Sequence, residues 1–236
     1  VKDVRSYLIQ FLMDSRVIDI PFVNRYLLVN GIIGPFRAPK SAKVYQEVWT
    51  KEGSPLKVYG YAIERMLQEQ LGKEYVVKLA MRYKNPSIPD ALAEMQKMNL
   101  SSIQVIPFFP QYASATTGSV YEEVMRVVKD WQNIPQLSFV NQFFDHPLFI
   151  KGFADLGKKY IDTTQYDHFV FSYHGLPERQ IHKADISGSQ CKLSTCCQVM
   201  TERNQFCYRA QCFATTRLLA EALGIPSDKI SNCFQS

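Results

Sequence analysis

Residues His168–Pro177, HFVFSYHGLP, place a short apolar run directly before a polar turn. Phe169, Val170 and Phe171 follow one another without polar alternation, as in a parallel-sheet strand covered on both faces, so a strand is predicted over 168–172. Similar runs upstream predict strands at Tyr75–Met81 (YVVKLAM), Ser102–Pro107 and Leu137–Phe143, and a last strand begins near Lys229. Helical spacing fills the intervals. Ile63, Met66, Leu67 and Leu71 share a face within 59–71, and Ser87 is a fair N-cap for a helix carrying Leu92 and Met95. Further helices carry Val120, Val124, Val127 and Trp131, then Phe149, Phe153, Leu156 and Tyr160. A long one over 211–223 stops at Gly224 and Pro226. Strands alternating with helices predict an α/β protein with parallel sheets flanked by helices.

The beginning is different in texture. Val4, Leu8, Phe11 and Leu12 keep helical spacing, but three prolines and two glycines over 17–40 break it, which predicts an apolar, irregular flap before a helix at 41–49. The chain has 236 residues, enough for one large domain or two ordinary ones, and a division is expected between the helices near Trp131 and Pro147. A hydrophobic content of 46% with 21% charged residues excludes a disordered chain. The net charge of +5 is spread along the sequence rather than gathered into the basic stripe of a nucleic-acid binder. No apolar stretch reaches membrane-spanning length, since Asp19, Asn24, Arg25 and Asn30 interrupt the nearest, and residues 1–13 do not read as a signal peptide. A cytoplasmic protein is expected, with the flap offering peripheral membrane contact.

Open parallel sheets bind ligands beyond the carboxyl ends of their strands. Polar clusters stand there in three places: Arg82-Tyr83, the loop Pro110–Gly118 with Tyr112, Ser114, Thr116 and Thr117, and Ser172–Pro177 with His174. The sequence has no G-x-G-x-x-G, no G-x-x-x-x-G-K-[ST] and no G-x-S-x-G, so dinucleotide, nucleoside-triphosphate and serine-hydrolase chemistry lose their usual support. Of four histidines, His168 begins an apolar strand and His182 lies in a charged stretch, while His174 ends a strand before a Gly-Leu-Pro turn. An imidazole there suits proton transfer near neutral pH and binding of a divalent metal.

Ser172-Tyr173-His174-Gly175-Leu176-Pro177-Glu178-Arg179 resembles the signature of ferrochelatases, and Pro110-Gln111-Tyr112 with Thr116-Thr117-Gly118-Ser119 resembles the family's second signature. Gly53-Ser54-Pro55-Leu56 and the closing Phe234-Gln235-Ser236 match in type and order. The resemblance implies two Rossmann-like, chelatase-type domains, expected here at 1–140 and 141–236, with the active cleft between them. It implies insertion of Fe2+, the metal substrate, into a porphyrin (protoporphyrin IX or coproporphyrin) to form haem. His174 is then the catalytic base and a ligand for the entering iron, and His146 a weaker catalytic match. Arg37, Tyr45 and Ser54 are expected at the porphyrin's propionates, Arg82 and Tyr83 near the substrate, and the 110–118 loop along its wall. A cobalt-inserting chelatase and a non-catalytic haem- or metal-binding module are the alternatives. The family also has a strand before the first helix here and a carboxylate-bearing segment after Ser236, so the chain is expected to be incomplete as an enzyme.

Six cysteines are too few for a disulfide scaffold, and five fall within 191–212. Cys191, Cys196, Cys197, Cys207 and Cys212 lack the paired C-x2-C spacing of a zinc ribbon. Some bacterial ferrochelatases are similar in carrying an internal cysteine-rich insert, here about 187–207, that holds a [2Fe–2S] cluster on four thiolates. A zinc site and an unmetallated loop are the other readings. The sequence leaves the oligomeric state open.

Overall fold

A computed structural model describes residues 2–161, 165–193 and 195–235. Ser236 of the closing motif lies outside the described residues. Helix α1 (Lys2–Leu12) is followed by α2 (Phe22–Tyr26), a π-helical stretch over Leu27–Ile33 and α3 (Gly34–Val48). From Phe22 onwards the predicted irregular flap is therefore helical, and only 17–21 keep turns and bends. Pro35 sits in the first turn of α3, where a missing N–H costs least, and Pro39 is the only proline further inside. Packing decides the conformation, because Val29 and Ala38 are buried against Leu8 and Leu12 of α1. The opposite side leaves Phe22, Val23, Leu27, Ile32 and Phe36 exposed.

Next come α4 (Pro55–Leu71), α5 (Ile88–Gln96), β1 (Ser102–Val105), α6 (Ser119–Val128), β2 (Gln136–Phe139) and α7 (Pro147–Gly157). The Ser87 hydroxyl caps α5, accepting from the Asp90 amide at 3.1 Å. The strand expected over 75–81 has no ladder, only a lone bridge between Met81 and Ser87. It runs extended along α4, where Gly60 admits Leu79 so closely that a Cβ would lie 2.8 Å from Leu79 Cδ2. The Val77 amide bonds the Gln68 side chain instead of a neighbouring strand.

The chain ends with β3 (Phe169–His174), α8 (Glu178–Lys183), α9 (Tyr208–Leu223) and β4 (Ile230–Gln235). Gly224 closes α9 at φ 69°, in the left-handed conformation glycine favours. Among the described residues the strands form two pairs. β3 and β4 are parallel, with His174 opposite Gln235. The bonds Gln136 N to Ser101 O and Val140 N to Val105 O keep one offset, so β1 and β2 also run the same way. Helices with short parallel strand pairs make an α/β fold. Two compact units divide the chain: Val1–Ile103 with Ser119–Ser138, and Gln104–Gly118 with Phe139–Ser236.

Candidate functional site

In the second unit, β3 alternates cleanly. Phe169, Phe171 and Tyr173 are half-buried, whereas Val170, Ser172 and His174 are exposed on the uncovered side. Tyr173 turns towards α9 and its hydroxyl lies 2.8 Å from Thr216 Oγ1. Burial pushes its phenol up to about 12. The uncovered side also carries Gln235, whose amide donates to Ser172 Oγ at 2.7 Å. Two bonds fix the backbone at His174: Gly175 N donates to Gln235 O at 2.6 Å, and the Tyr208 hydroxyl donates to His174 O at 2.9 Å. The imidazole thus stands at a strand's carboxyl end, reachable and on an anchored backbone.

Gln211 organises the rest of this unit, a role that no sequence pattern signalled. It is fully buried in α9. Its Oε1 accepts from the Tyr112 amide at 2.6 Å, and its Nε2 donates to Gln142 Oε1 and Gln205 O. One turn on, Thr215 Oγ1 accepts from Gln111 at 3.0 Å and donates to backbone carbonyls. These bonds tie the 110–118 loop to α9. Within the loop Ser114 is exposed, the Thr116 hydroxyl donates to Ala113 O at 3.3 Å, and Thr117 Oγ1 is buried without a hydrogen-bond partner. Tyr112 meets the Phe206 ring edge-on at 5.5 Å. His146 is the N-cap of α7, its Nδ1 accepting from the Leu148 amide at 3.3 Å.

The first unit brings Tyr45, Arg82 and Tyr83 into one assembly, centred on Asp14. The Asp14 side chain is 5% exposed. Its Oδ2 accepts from Arg82 Nη2 and the Tyr83 hydroxyl, both at 2.8 Å, and from the Ser119 hydroxyl. Oδ1 accepts from the Arg16 amide at 2.8 Å. Burial pushes the Asp14 carboxyl up, but Ser119, the Arg16 amide, Tyr83 and Arg82 outweigh it and hold the carboxyl below its ordinary range. Arg82 Nε also donates to Ser119 Oγ at 2.7 Å. Tyr83 packs edge-on against Tyr7 and Phe11, and Tyr7 against Tyr45. Burial and Tyr45 push the Tyr7 phenol up to about 12. Arg37, exposed on α3, and Ser54, at the N-cap of α4, stand apart from this assembly. Sequence reasoning missed Asp14, and it named Ser119, 105 positions away, only as the end of the second signature, without a role.

Four of the grouped cysteines adjoin one another. Cys196 Sγ lies 3.7 Å from Cys197 Sγ. Cys197 donates to Cys207, which draws the Cys207 thiol down to about 7, and Cys191 lies against Cys196. Cys191, Cys196 and Cys207 line a cavity of about 20 Å³. Asp185 accepts from the Ser187, Gln190 and Cys191 amides at 3.0, 2.7 and 2.7 Å, and Asn204 donates to Cys196 O and Val199 O, both at 2.8 Å. Cys212 belongs elsewhere, fully buried in α9, where burial pushes its thiol up to about 12 beside the Tyr208 hydroxyl. Among the described residues no three metal-binding side chains converge on a single ion.

The ferrochelatase family profile matches residues 1–236. The chain is 42% identical over its full length to the ferrochelatase of Legionella pneumophila strain Paris, spanning 69% of that protein. It is 40% identical, again over its full length, to the ferrochelatase of Coxiella burnetii strain Dugway 5J108-111, spanning 66% of it.

Proposed function

The chain belongs to the ferrochelatase family, whose reaction is the haem-forming insertion of ferrous iron into a porphyrin, and we propose that His174 is the base and first iron ligand of that reaction. Insertion exchanges two pyrrole protons for Fe2+, so the site needs a proton acceptor and a nitrogen that can receive the metal; a neutral imidazole serves either step. The observation that carries the assignment is the placement of His174, exposed at the end of β3 with its backbone fixed on both sides. Arg37, Tyr45 and Ser54 are proposed partners for the porphyrin's carboxylates. Tyr112, Ser114, Thr116 and Thr117 form the wall of the 110–118 loop. Arg82 and Tyr83 contribute shape, because Asp14 and Ser119 occupy several of their polar atoms. His146, whose Nδ1 caps α7, is the secondary histidine. Protoporphyrin IX and coproporphyrin are the proposed acceptors.

Cys191, Cys196, Cys197 and Cys207 are proposed to hold a [2Fe–2S] cluster. Two irons bound by two thiolates each do not require three ligands around one ion, which fits the pairwise adjacency of these thiols. The buried Arg209 Nη1 has no hydrogen-bond partner although Arg209 bonds Cys197, so a spare cationic donor stands beside the thiols that would carry the cluster's negative charge. When bound, the cluster supplies a one-electron redox centre. Among the described residues no helix is long and apolar enough to cross a membrane. The exposed row Phe22, Val23, Leu27, Ile32 and Phe36 supports peripheral membrane contact instead.

The test is an anaerobic turnover assay with Fe2+ and each porphyrin. His174→Ala is expected to lower kcat by about a hundredfold while retaining porphyrin binding, the usual scale for a lost acid–base group. Wild-type turnover in that variant removes His174 from the mechanism. Multiple turnovers with the unsubstituted chain exclude a binding module, and faster insertion of Co2+ than of Fe2+ identifies a different chelatase.

A further inference from the structure

We infer that Tyr208 is a positioning residue for His174 and that it couples the strand end to the cysteine loop. The inference rests on the assignment of His174 as base. Three consecutive residues carry the connection. Cys207 is the N-cap of α9 and lines one small cavity with Cys191 and Cys196 of the loop. Tyr208 donates its hydroxyl proton to His174 O at 2.9 Å. Arg209 bonds Cys197 and lies over the Phe213 and Phe234 rings at 4.6 and 5.9 Å.

The geometry makes this connection specific. α9 holds the β3–β4 pair at two heights, eight residues or about 12 Å of helix apart. At the far height Thr216 bonds Tyr173 and Asn232, side chains from the covered face. Those bonds fix the sheet against the helix but leave the direction of the His174 side chain to the last peptide of the strand. At the near height Tyr208 grips the carbonyl of His174 itself. The ring of Tyr208 meets Phe234 edge-on at 6.4 Å, so it has little freedom to follow a moving strand end. Its hydroxyl also lies against Cys212, fully buried in α9. A change in the cysteine loop that shifts Cys207 therefore shifts the phenol, and with it the peptide plane from which the imidazole projects. Displacements well under 1 Å at a proton-transfer group are enough to slow turnover.

The experiment uses the full chain and two readouts: kcat and KM for porphyrin, and the imidazole Cε1–Hε1 resonance of His174 at one fixed pH. Tyr208→Phe keeps the ring and removes the hydroxyl. It is expected to lower kcat about fivefold, the scale of one lost hydrogen bond, to leave KM within twofold, and to shift the His174 resonance. Tyr173→Phe removes a comparable bond to α9 without touching His174, and should leave kcat and the resonance unchanged. Cys207→Ser should shift the resonance in the unsubstituted background but not in Tyr208→Phe. An unchanged resonance in Tyr208→Phe, or equal effects of Tyr208→Phe and Tyr173→Phe, overturns the positioning role. A shift with Cys207→Ser that persists in Tyr208→Phe overturns the coupling. If His174→Ala keeps wild-type turnover, the assignment of the base has failed, while the resonances still decide whether Tyr208 holds the strand end.

Discussion

The two units each gather distant segments around one buried polar side chain, but with opposite chemistry. In the first, Asp14 is an anion matched by a guanidinium, two hydroxyls and an amide. In the second, Gln211 is neutral and uses both ends of its amide, accepting from Tyr112 N and donating to Gln205 O and Gln142. A charge clasp draws strength from Coulomb attraction in a partly dry site, yet becomes costly when any one partner is lost. A neutral amide hub gains less per bond and needs no counter-charge. The contrast matches the partners each one meets: Arg82 supplies a cation beside Asp14, whereas the groups bonded to Gln211 are amides and backbone.

The largest effect should come from breaking the clasp. Asp14→Ala leaves the Arg82 guanidinium and the Tyr83 and Ser119 hydroxyls without their shared acceptor, at a cost of about 3–5 kcal/mol, the range for removing one partner of a buried ion pair. Urea denaturation measures it. A loss under about 1 kcal/mol means that water replaces the carboxylate and the clasp is not a buried one.

Gln211→Leu keeps the volume and removes the amide. Tyr112 N and Gln205 O then lose their partner, with an expected loss of about 2–3 kcal/mol by the same measurement. The 110–118 loop should also loosen, read as faster amide exchange at Tyr112. A loss as large as that of Asp14→Ala would erase the distinction between the two hubs.

The sequence made the covalent rhythm visible and the long-range polar pairings invisible. The β3 run, the Ser87 cap and the Gly224 stop depend on residues within a few positions of one another, so period and capping chemistry reveal them. The helical conformation of 22–48 depends on burial of Val29 and Ala38 beneath α1, which local proline and glycine counts do not register. Tyr75–Met81 has strand composition, yet composition cannot supply a partner strand. At the site, His174 was legible because a strand end announces it. Asp14 and Gln211 were not, since an aspartate 68 positions before Arg82 and a glutamine in an ordinary helix carry no local mark. Spacing grouped five cysteines, but Cys212 already fell in the predicted 211–223 helix and outside the 187–207 insert, and the fold buries it in α9.

The smallest effect is the most discriminating, because the two hubs should respond to pH with opposite sign once their charges are exchanged. The Asp14 carboxyl is held below its unfolded value, so its stabilisation is complete above pH ~4 and disappears as pH falls through the folded value. Asp14→Asn removes that share and should flatten the acid limb of stability, leaving the shares of Asp185, Glu123 and Asp155, which Ser187, Arg126 and Lys151 also hold low. Gln211→Glu does the reverse. A carboxyl placed in that fully buried position should have its pKa raised by burial, so the folded chain binds the proton more tightly than the unfolded one. Stability then falls as pH rises from about 4 towards neutrality. Denaturation midpoints at a series of pH values between 3 and 7 read both slopes, each expected to change by no more than about 1.4 kcal/mol per pH unit per group. Parallel pH profiles for Gln211→Glu and the unsubstituted chain would mean that water or an unseen cation reaches Gln211, and that the second hub is as tolerant of charge as the first.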